Sequence, residues 1–584
     1  MAARSFSRVA PGRAKITFYA IVGVALFLSW RLYDVQIRQG RHLAAVAQSQ
    51  RSDTVELFAK RGSITDRDGN VLVRSMPSES VSAVPTNIVD PVKTATELAP
   101  ILGMKEHDIE LALRDRSQFR WLARKVSHDI ALRVNALNIM GISIIREETG
   151  TRFTPAGHLA STVLGFVGVD ESGLEGLESA FDSYLKGKTG KMKVEADQFG
   201  RAIPFADTKI IERAHPGRNL QLTLDSYLQF ETERALRDRV HESHARSGTA
   251  IIMDPNNGEI LALANSPDYE PAHFYRFPAD ARRDRAVMDA YEPGSTFKLI
   301  TAAAALESHR IGPNAMFPAL DSLEVGGRVI HNAEDGLMAG GGGSESLEQI
   351  IALSHNVGAA EIGIATGPHD LYKTIRAFGF GDPTSIELPG ENPGLVPPPD
   401  QWSGSSTATI SFGHGISTTP IALARAYAAI ANGGLLMRPR ILSALLDGDG
   451  RTVYRYTPEI ERRAITAKTA ATLRRYLRAV VTRGTGNPSA IVPGYTTAGK
   501  TGTAQVAENG GYVSGAYIGS FVGFVPAESP KFVILVKIAR PHGAIYGGVV
   551  AAPAFAEIAK LAMMHAGVMP ARMAARAHAP KPRT

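Results

Sequence analysis

Hydrophobic positions along the chain change regime several times. Residues 16–30 carry no charge and are flanked by Lys15 and Arg31. As a helix this run is about 22 Å long, short of the roughly 30 Å hydrocarbon core of a bilayer. Leu32 and Tyr33 extend it and the flanking cations can snorkel, so a transmembrane anchor is expected over 16–34. A cleaved signal peptide would need small residues just past the apolar run, and residues 31–34 offer none. Residues 1–15 hold Arg4, Arg8, Arg13 and Lys15 and no acid, which predicts a short cytoplasmic tail with everything after the anchor on the far side of the membrane.

Past the anchor the pattern alternates between period 2 and period 3.6. Asp68-Gly69 between apolar segments reads as a hairpin turn. Residues 220–224 read as a strand and 227–240 as a helix, and strands 248–254 and 259–264 pair across Pro255-Asn256-Asn257-Gly258. Pro293-Gly294 then breaks the chain ahead of the Ala-rich run 299–306, which predicts a helix with Ser295 in its first turn. The glycine-rich stretch 340–343 is expected to be a flexible loop, and Ser346-Leu347-Glu348-Gln349 a capping box opening a helix that leads to Ser354. The proline-rich 389–402 reads as a long ordered loop, and 497–506, 517–525 and 532–538 as neighbouring strands. A last helix, 552–565, would cover one sheet face, and the Ala, Arg and Pro residues of 568–584 read as a disordered tail.

Composition narrows this picture only slightly. A chain of 584 residues exceeds one ordinary core, so two or three folded units are expected. The net charge of +7 comes from dispersed basic residues without a nucleic-acid motif, which suits an anionic membrane or wall surface and not nucleic acid. No cysteine is present, which excludes disulfides and thiolate metal sites.

The candidate chemistry starts at Ser295-Thr296-Phe297-Lys298. A lysine three residues after a serine lies on the same helical face and can take the hydroxyl proton if the amine is held neutral. A free lysine titrates near ~10.4, so this requires burial or a second cation. Ser183-Tyr184-Leu185-Lys186 has the same spacing but reads as a surface turn. Only Ser295 is followed by a Ser-x-Asn, Ser354-His355-Asn356, and by Lys500-Thr501-Gly502-Thr503, a second cation on an expected strand. Residues 494–501 also satisfy the phosphate-loop pattern G-x-x-x-x-G-K-[ST], which works only where a helix starts behind the lysine. Pro493 before it and Gly502, Gly510 and Gly511 after it argue against that helix. His241-Glu242-Ser243-His244 misses the zinc-protease spacing by one residue and reads as a solvated helix face. No metal and no cofactor is expected.

These three motifs, in this order, resemble those of the penicillin-binding proteins, the serine D,D-transpeptidases that cross-link peptidoglycan. The resemblance implies Ser295 as acyl-enzyme nucleophile, Lys298 as its base, and Ser354 and Lys500 as a proton relay. It further implies Asn356 on the donor amide, Thr501, Gly502 and Thr503 as the substrate-binding strand, and the N–H groups of Ser295 and Thr503 as an oxyanion hole. The implied fold is α/β, an antiparallel sheet between helical layers, on an N-terminal α+β pedestal behind one transmembrane helix. Arg61-Gly62-Ser63-Ile64-Thr65-Asp66-Arg67-Asp68-Gly69, then Arg152, Pro155, Gly157 and Gly165, and Gly173-Leu174-Glu175-Gly176-Leu177-Glu178 are similar to the pedestal boxes of class B members. The expected organisation is therefore tail 1–15, anchor 16–34, non-catalytic pedestal 35–216, transpeptidase domain 217–567 and tail 568–584.

Within class B, Arg285-Ala286-Val287-Met288-Asp289 and Tyr546-Gly547-Gly548-Val549-Val550-Ala551-Ala552-Pro553 resemble the division-specific, FtsI-type enzymes more than the elongation type. The implied partners are donor and acceptor peptidoglycan stems, β-lactam antibiotics, a membrane glycosyltransferase that polymerises lipid II, and divisome proteins. The implied location is the cytoplasmic membrane with the catalytic domain outside. An elongation enzyme, a penicillin sensor or hydrolase, and an idle scaffold are the alternatives. A hydrolase needs a base that directs water onto the ester, for which no local signature exists, and a scaffold could lose Ser295, Lys298 or Lys500, all of which are present.

Overall fold

The computed structural model describes residues 11–43, 46, 52–57, 59–115, 117, 119–195, 209–333, 343–508 and 510–570. The tail beyond 570, and all of the glycine stretch except Gly343, lie outside these residues. The chain divides into two compact units, 1–59 with 188–215 and 60–187 with 216–584. In the first, helix Pro11–Tyr33 continues into a π-helical turn, Asp34–Arg38. Gly12–Arg38 is long and apolar enough to cross a membrane. The same unit holds a three-stranded antiparallel sheet in the order Ser52–Leu57, Gly190–Glu195, Lys209–Glu212.

The second unit opens with the hairpin read from Asp68-Gly69: Ile64–Thr65 pairs with Val71–Ala83, and Gly69 takes φ +88°, the left-handed region the turn requires. Strand Val71–Ala83 is flanked by Arg120–Val126 and Ile142–Phe153. Helices Pro91–Leu102, Glu106–Leu113 and His128–Ala136 close a local core around Val81, Leu98, Ile109 and Val134. A buried ion cluster ties distant boxes together. Arg61 contacts Glu178 at 2.6 Å and Asp182 at 2.6 Å, and Arg152 meets the other oxygen of Glu178 at 2.6 Å.

The central sheet is antiparallel throughout. Its strands are β1 (Ser247–Met253), β2 (Ile260–Ser266), β3 (Ala498–Glu508), β4 (Gly511–Val525) and β5 (Phe532–Ala539), in the order β2-β1-β5-β4-β3. Both faces are buried, and alternate residues feed separate cores. Ala250, Ile252, Phe521, Ile534 and Val536 pack with helices Ser226–Glu242 and Ala552–His565. Ile251, Met253, Val522, Phe524, Val533 and Leu535 join the core that holds helices Lys298–Glu307 and Pro420–Ala431. This two-sided burial is why these strands read as near-continuous apolar runs.

Two local readings differ from the structure, and a third, the surface position of the Ser183 segment, agrees with it. Gly294–Phe297 is a 3₁₀ turn and the α-helix begins at Lys298, so Ser295 lies just ahead of the helix. Gly294 stands at φ +55° where a Cβ would come within 2.9 Å of the Thr503 carbonyl, so the tighter turn is set by β3 running past it. Strand β4 begins at Gly511 instead of 517, because cross-strand pairing from Glu508 and Ala507 carries the hairpin through its glycines. The Ser183 segment forms a single helical turn, Asp182–Leu185, with Leu185 buried and Ser183 and Lys186 exposed.

Candidate active site

Register decides which way Lys500 points. It pairs with Val522, which pairs with Leu535, and residues paired across an antiparallel sheet share a face. Val522 and Leu535 belong to the core on the side of helix Lys298–Glu307, so Lys500 projects toward that helix. Contact between β3 and the Ser295 turn is close enough to exclude a side chain. A Cβ on Gly502 would lie 2.4 Å from Ser520 Oγ and 2.9 Å from Thr296 Cγ2. On the other side of the turn, a Cβ on Gly413 would lie 2.3 Å from the Gly294 carbonyl.

Ser354 comes from the helix whose start was read from sequence. Helix Leu347–Leu353 carries the full capping box of Ser346 and Gln349, and Ser354 ends it at φ +65°. A left-handed serine is uncommon, and here it turns the chain into the next helix, Asn356–Thr366. Asn332 Oδ1 accepts the N–H groups of Asn356 and Val357, at 2.8 and 3.0 Å, and so caps that helix.

Lys298 of the first motif meets the side chains of the other two. Lys500 Nζ donates to Ser354 Oγ at 2.7 Å. Lys298 Nζ lies 3.3 Å from the same Oγ, donates to Asn356 Oδ1 at 2.8 Å and also contacts the Ser354 carbonyl. Both lysines are fully buried. Burial first, and then the neighbouring Lys500, hold Lys298 well below the ordinary lysine value, while Glu345 pulls the other way. Burial lowers Lys500 to about 7. A neutral Lys298 has two N–H groups for Asn356 Oδ1 and the Ser354 carbonyl and keeps one lone pair to accept a proton, while Ser354 Oγ accepts from Lys500. Ser295 is partly exposed, and its Oγ makes no hydrogen bond among the described residues.

The remaining site residues are held from outside the motifs. Thr501 Oγ1 lies 2.7 Å from Thr485 Oγ1, and Thr503 Oγ1 accepts the Gly547 N–H at 3.2 Å. Tyr427 O–H donates to the Thr296 carbonyl at 2.8 Å, pinning the Ser295 turn from behind. His355 pairs with Glu345 at 2.6 Å in the interior. Thr485, Tyr427, Asn332 and Glu345 belong to no motif. Only Ser344-Glu345, beside the capping box, lay near a feature already marked. Lys500 sits in a strand that runs to Glu508 with no helix behind it, so the phosphate-loop pattern has no cradle.

Two buried lysines sharing the Ser354 hydroxyl, with the Ser295 turn packed against the edge strand of a five-stranded antiparallel sheet, form an arrangement of the penicillin-binding type. Comparison with known proteins agrees. Residues 248–560 match the penicillin binding protein transpeptidase domain, and residues 56–222 the penicillin-binding protein dimerisation domain. The stage V sporulation protein D of Bacillus subtilis is 35% identical, over 96% of this chain and 86% of its own. The peptidoglycan D,D-transpeptidase FtsI of Escherichia coli is 33% identical, over 86% and 83%. The crystal structure of penicillin binding protein 3 from Mycobacterium tuberculosis complexed with aztreonam superposes with a TM-score of 0.69 at 30% identity, over 88% of this chain and 99% of that one. The chain belongs to the class B penicillin-binding proteins and is a peptidoglycan D,D-transpeptidase.

Proposed function

We propose that Ser295 is the acyl-enzyme nucleophile and that the enzyme works at the division septum. The observation that carries the chemistry is the hydrogen-bonded chain Lys500, Ser354, Lys298, which ends one helical turn from Ser295. Neutral Lys298 takes the Ser295 proton as Oγ bonds to the donor carbonyl carbon. Ser354 and Lys500 then return a proton to the departing amine as the amide C–N bond breaks. The N–H groups of Ser295 and Thr503 receive the developing oxyanion. Among the described residues the outer edge of β3 has no strand partner in the sheet order, which suits an extended donor peptide adding alongside it. Asn356 would hold the donor amide, and Thr501, Gly502 and Thr503 its terminal carboxylate end. An acceptor amine then attacks the Ser295 ester, releasing the cross-linked product and the free hydroxyl.

We take 35–216 as the pedestal and 217–567 as the catalytic domain, carried outside the membrane by the 16–34 anchor. The septal reading is supported by the FtsI-type stretches around Arg285 and Tyr546 and by the similarity to FtsI itself. A lipid II-polymerising glycosyltransferase and divisome proteins are its expected partners. Fluorescent penicillin followed by intact-mass chase tests the chemistry. Ser295→Ala must lose all labelling, and the wild-type adduct must persist for many minutes, since both lysines are engaged and no carboxylate among the described residues hydrogen-bonds to Ser295, Lys298 or Lys500. Labelling that survives Ser295→Ala defeats the nucleophile assignment, and clearance within seconds makes the enzyme a hydrolase. Depletion in the source cell reads the biology: filaments support the septal role, rounded cells the elongation role.

A further inference from the structure

Far along the chain from the motifs, three segments bring a histidine and two carboxylates together. His158 follows the pedestal box at Gly157, Glu233 lies on helix Ser226–Glu242, and Asp268 lies just after β2. His158 Nδ1 is 2.9 Å from Asp268 Oδ2 and 3.8 Å from Glu233 Oε2, and all three atoms lie within 4.8 Å of one another. Glu233 is only 6% exposed. Its Oε1 accepts from the Ala160 N–H at 2.7 Å and from Gln229 Nε2 at 2.8 Å, but its enclosed Oε2 has no hydrogen-bond partner. Leaving a buried carboxylate oxygen unmatched is unfavourable, and burial raises Glu233 to about 7. The charged group already present is Arg237, whose Nη2 stands 3.3 Å from His158 Nδ1 and 3.1 Å from Asp268 Oδ2. It reaches neither oxygen of Glu233, and its half-exposed side chain is free to swing into solvent.

We propose that His158, Glu233 and Asp268 form a zinc site that clamps the pedestal segment to the transpeptidase domain. Zinc bonds of 2.0–2.1 Å to nitrogen and oxygen place tetrahedral ligand atoms about 3.3 Å apart. The distances here bracket that value, so small side-chain rotations close the site, with water as fourth ligand. One imidazole nitrogen and two carboxylates favour zinc over magnesium, which prefers oxygen ligands and retained water. Binding displaces the Arg237 guanidinium. The metal joins residues from the two matched family regions and the helix between them.

The test uses the tag-free full chain in detergent, stripped with chelator and titrated with zinc chloride by calorimetry, with metal content read by mass spectrometry. The expected result is one zinc per chain, with magnesium unable to replace it. His158→Ala, at a half-exposed position that tolerates truncation, weakens binding by about a hundredfold, and Glu233→Gln does likewise. Arg237→Ala tightens it. All variants keep wild-type penicillin labelling, which reports an intact fold independently of the metal. The proposal is overturned if neither wild type nor Arg237→Ala binds zinc, or if binding survives His158→Ala and so belongs to exposed histidines such as His241 and His244.

Discussion

Replacing Lys500 by methionine should make this enzyme more stable and useless. Burial moves Lys500 from the ordinary 10.5 to about 7. At about 1.4 kcal/mol per pKa unit, the folded state at pH 7 is disfavoured by roughly 4 kcal/mol relative to a chain whose lysine stays protonated. Methionine matches the stem and carries no proton, so that penalty vanishes. It forfeits the bond to Ser354 Oγ, about 1 kcal/mol, leaving that oxygen with Lys298. The net gain is roughly 3 kcal/mol, which for a unit of some 350 residues raises Tm by about 4 °C. The sign of the pH dependence is fixed. The unfolded lysine holds its proton up to about 10.5 and the folded one releases it near 7, so wild-type stability climbs between those values. The advantage of Lys500→Met therefore shrinks by about 2 kcal/mol from pH 7 to pH 9. Scanning fluorimetry of the detergent-solubilised chain at both pH values measures it, and penicillin acylation should fall at least about a hundredfold. A variant less stable than wild type at pH 7, or a Tm difference that ignores pH, refutes the argument that Lys500 is held in the interior against its own protonation.

Gly502→Ala forces a methyl against Ser520 Oγ and Thr296 Cγ2, so β3 and the Ser295 turn must part. Acylation should drop about a hundredfold, read by stopped-flow labelling, and Tm should fall by about 1–4 °C as the overpacked contact opens. Arg61→Ala leaves Glu178 with Arg152 alone and Asp182 without its buried partner. It should lower stability by about 3–5 kcal/mol, measured by urea unfolding, without changing the acylation rate of the folded fraction. Ser183→Ala, in the other Ser-x-x-Lys, should leave penicillin labelling at the wild-type level.

Periodic stretches with local punctuation were readable in sequence. The last helix spans Ala552–His565 as expected, and both bonds of the Ser346 capping box form, because those signals are local. Strands β1 and β2 pair across Asn256-Asn257-Gly258 for the same reason. What could not be read was the order of the sheet, where β1 from early in the domain lies beside β5 from its end. That pairing is decided by how two faces of apolar side chains divide between two cores, not by any residue in either strand. The site split in the same way. Lysine and serine motifs announce themselves by spacing, whereas Thr485 beside Thr501 and Tyr427 under Thr296 are supplied by distant helices and loops with no spacing to betray them.

The glycines that let three elements meet at Ser295 also limit how this enzyme could evolve to escape a drug. Adding bulk beside a nucleophile is the simplest way to exclude an inhibitor. At Gly294, Gly413 and Gly502 the first carbon of any side chain runs into the backbone or packed atoms of the opposing element. A substitution there would disarm the enzyme along with the antibiotic. Escape is left to positions that already carry exposed side chains near the Ser295 turn, such as Tyr512, whose hydroxyl reaches Glu292 at 3.0 Å, where shape can change without moving the three elements apart.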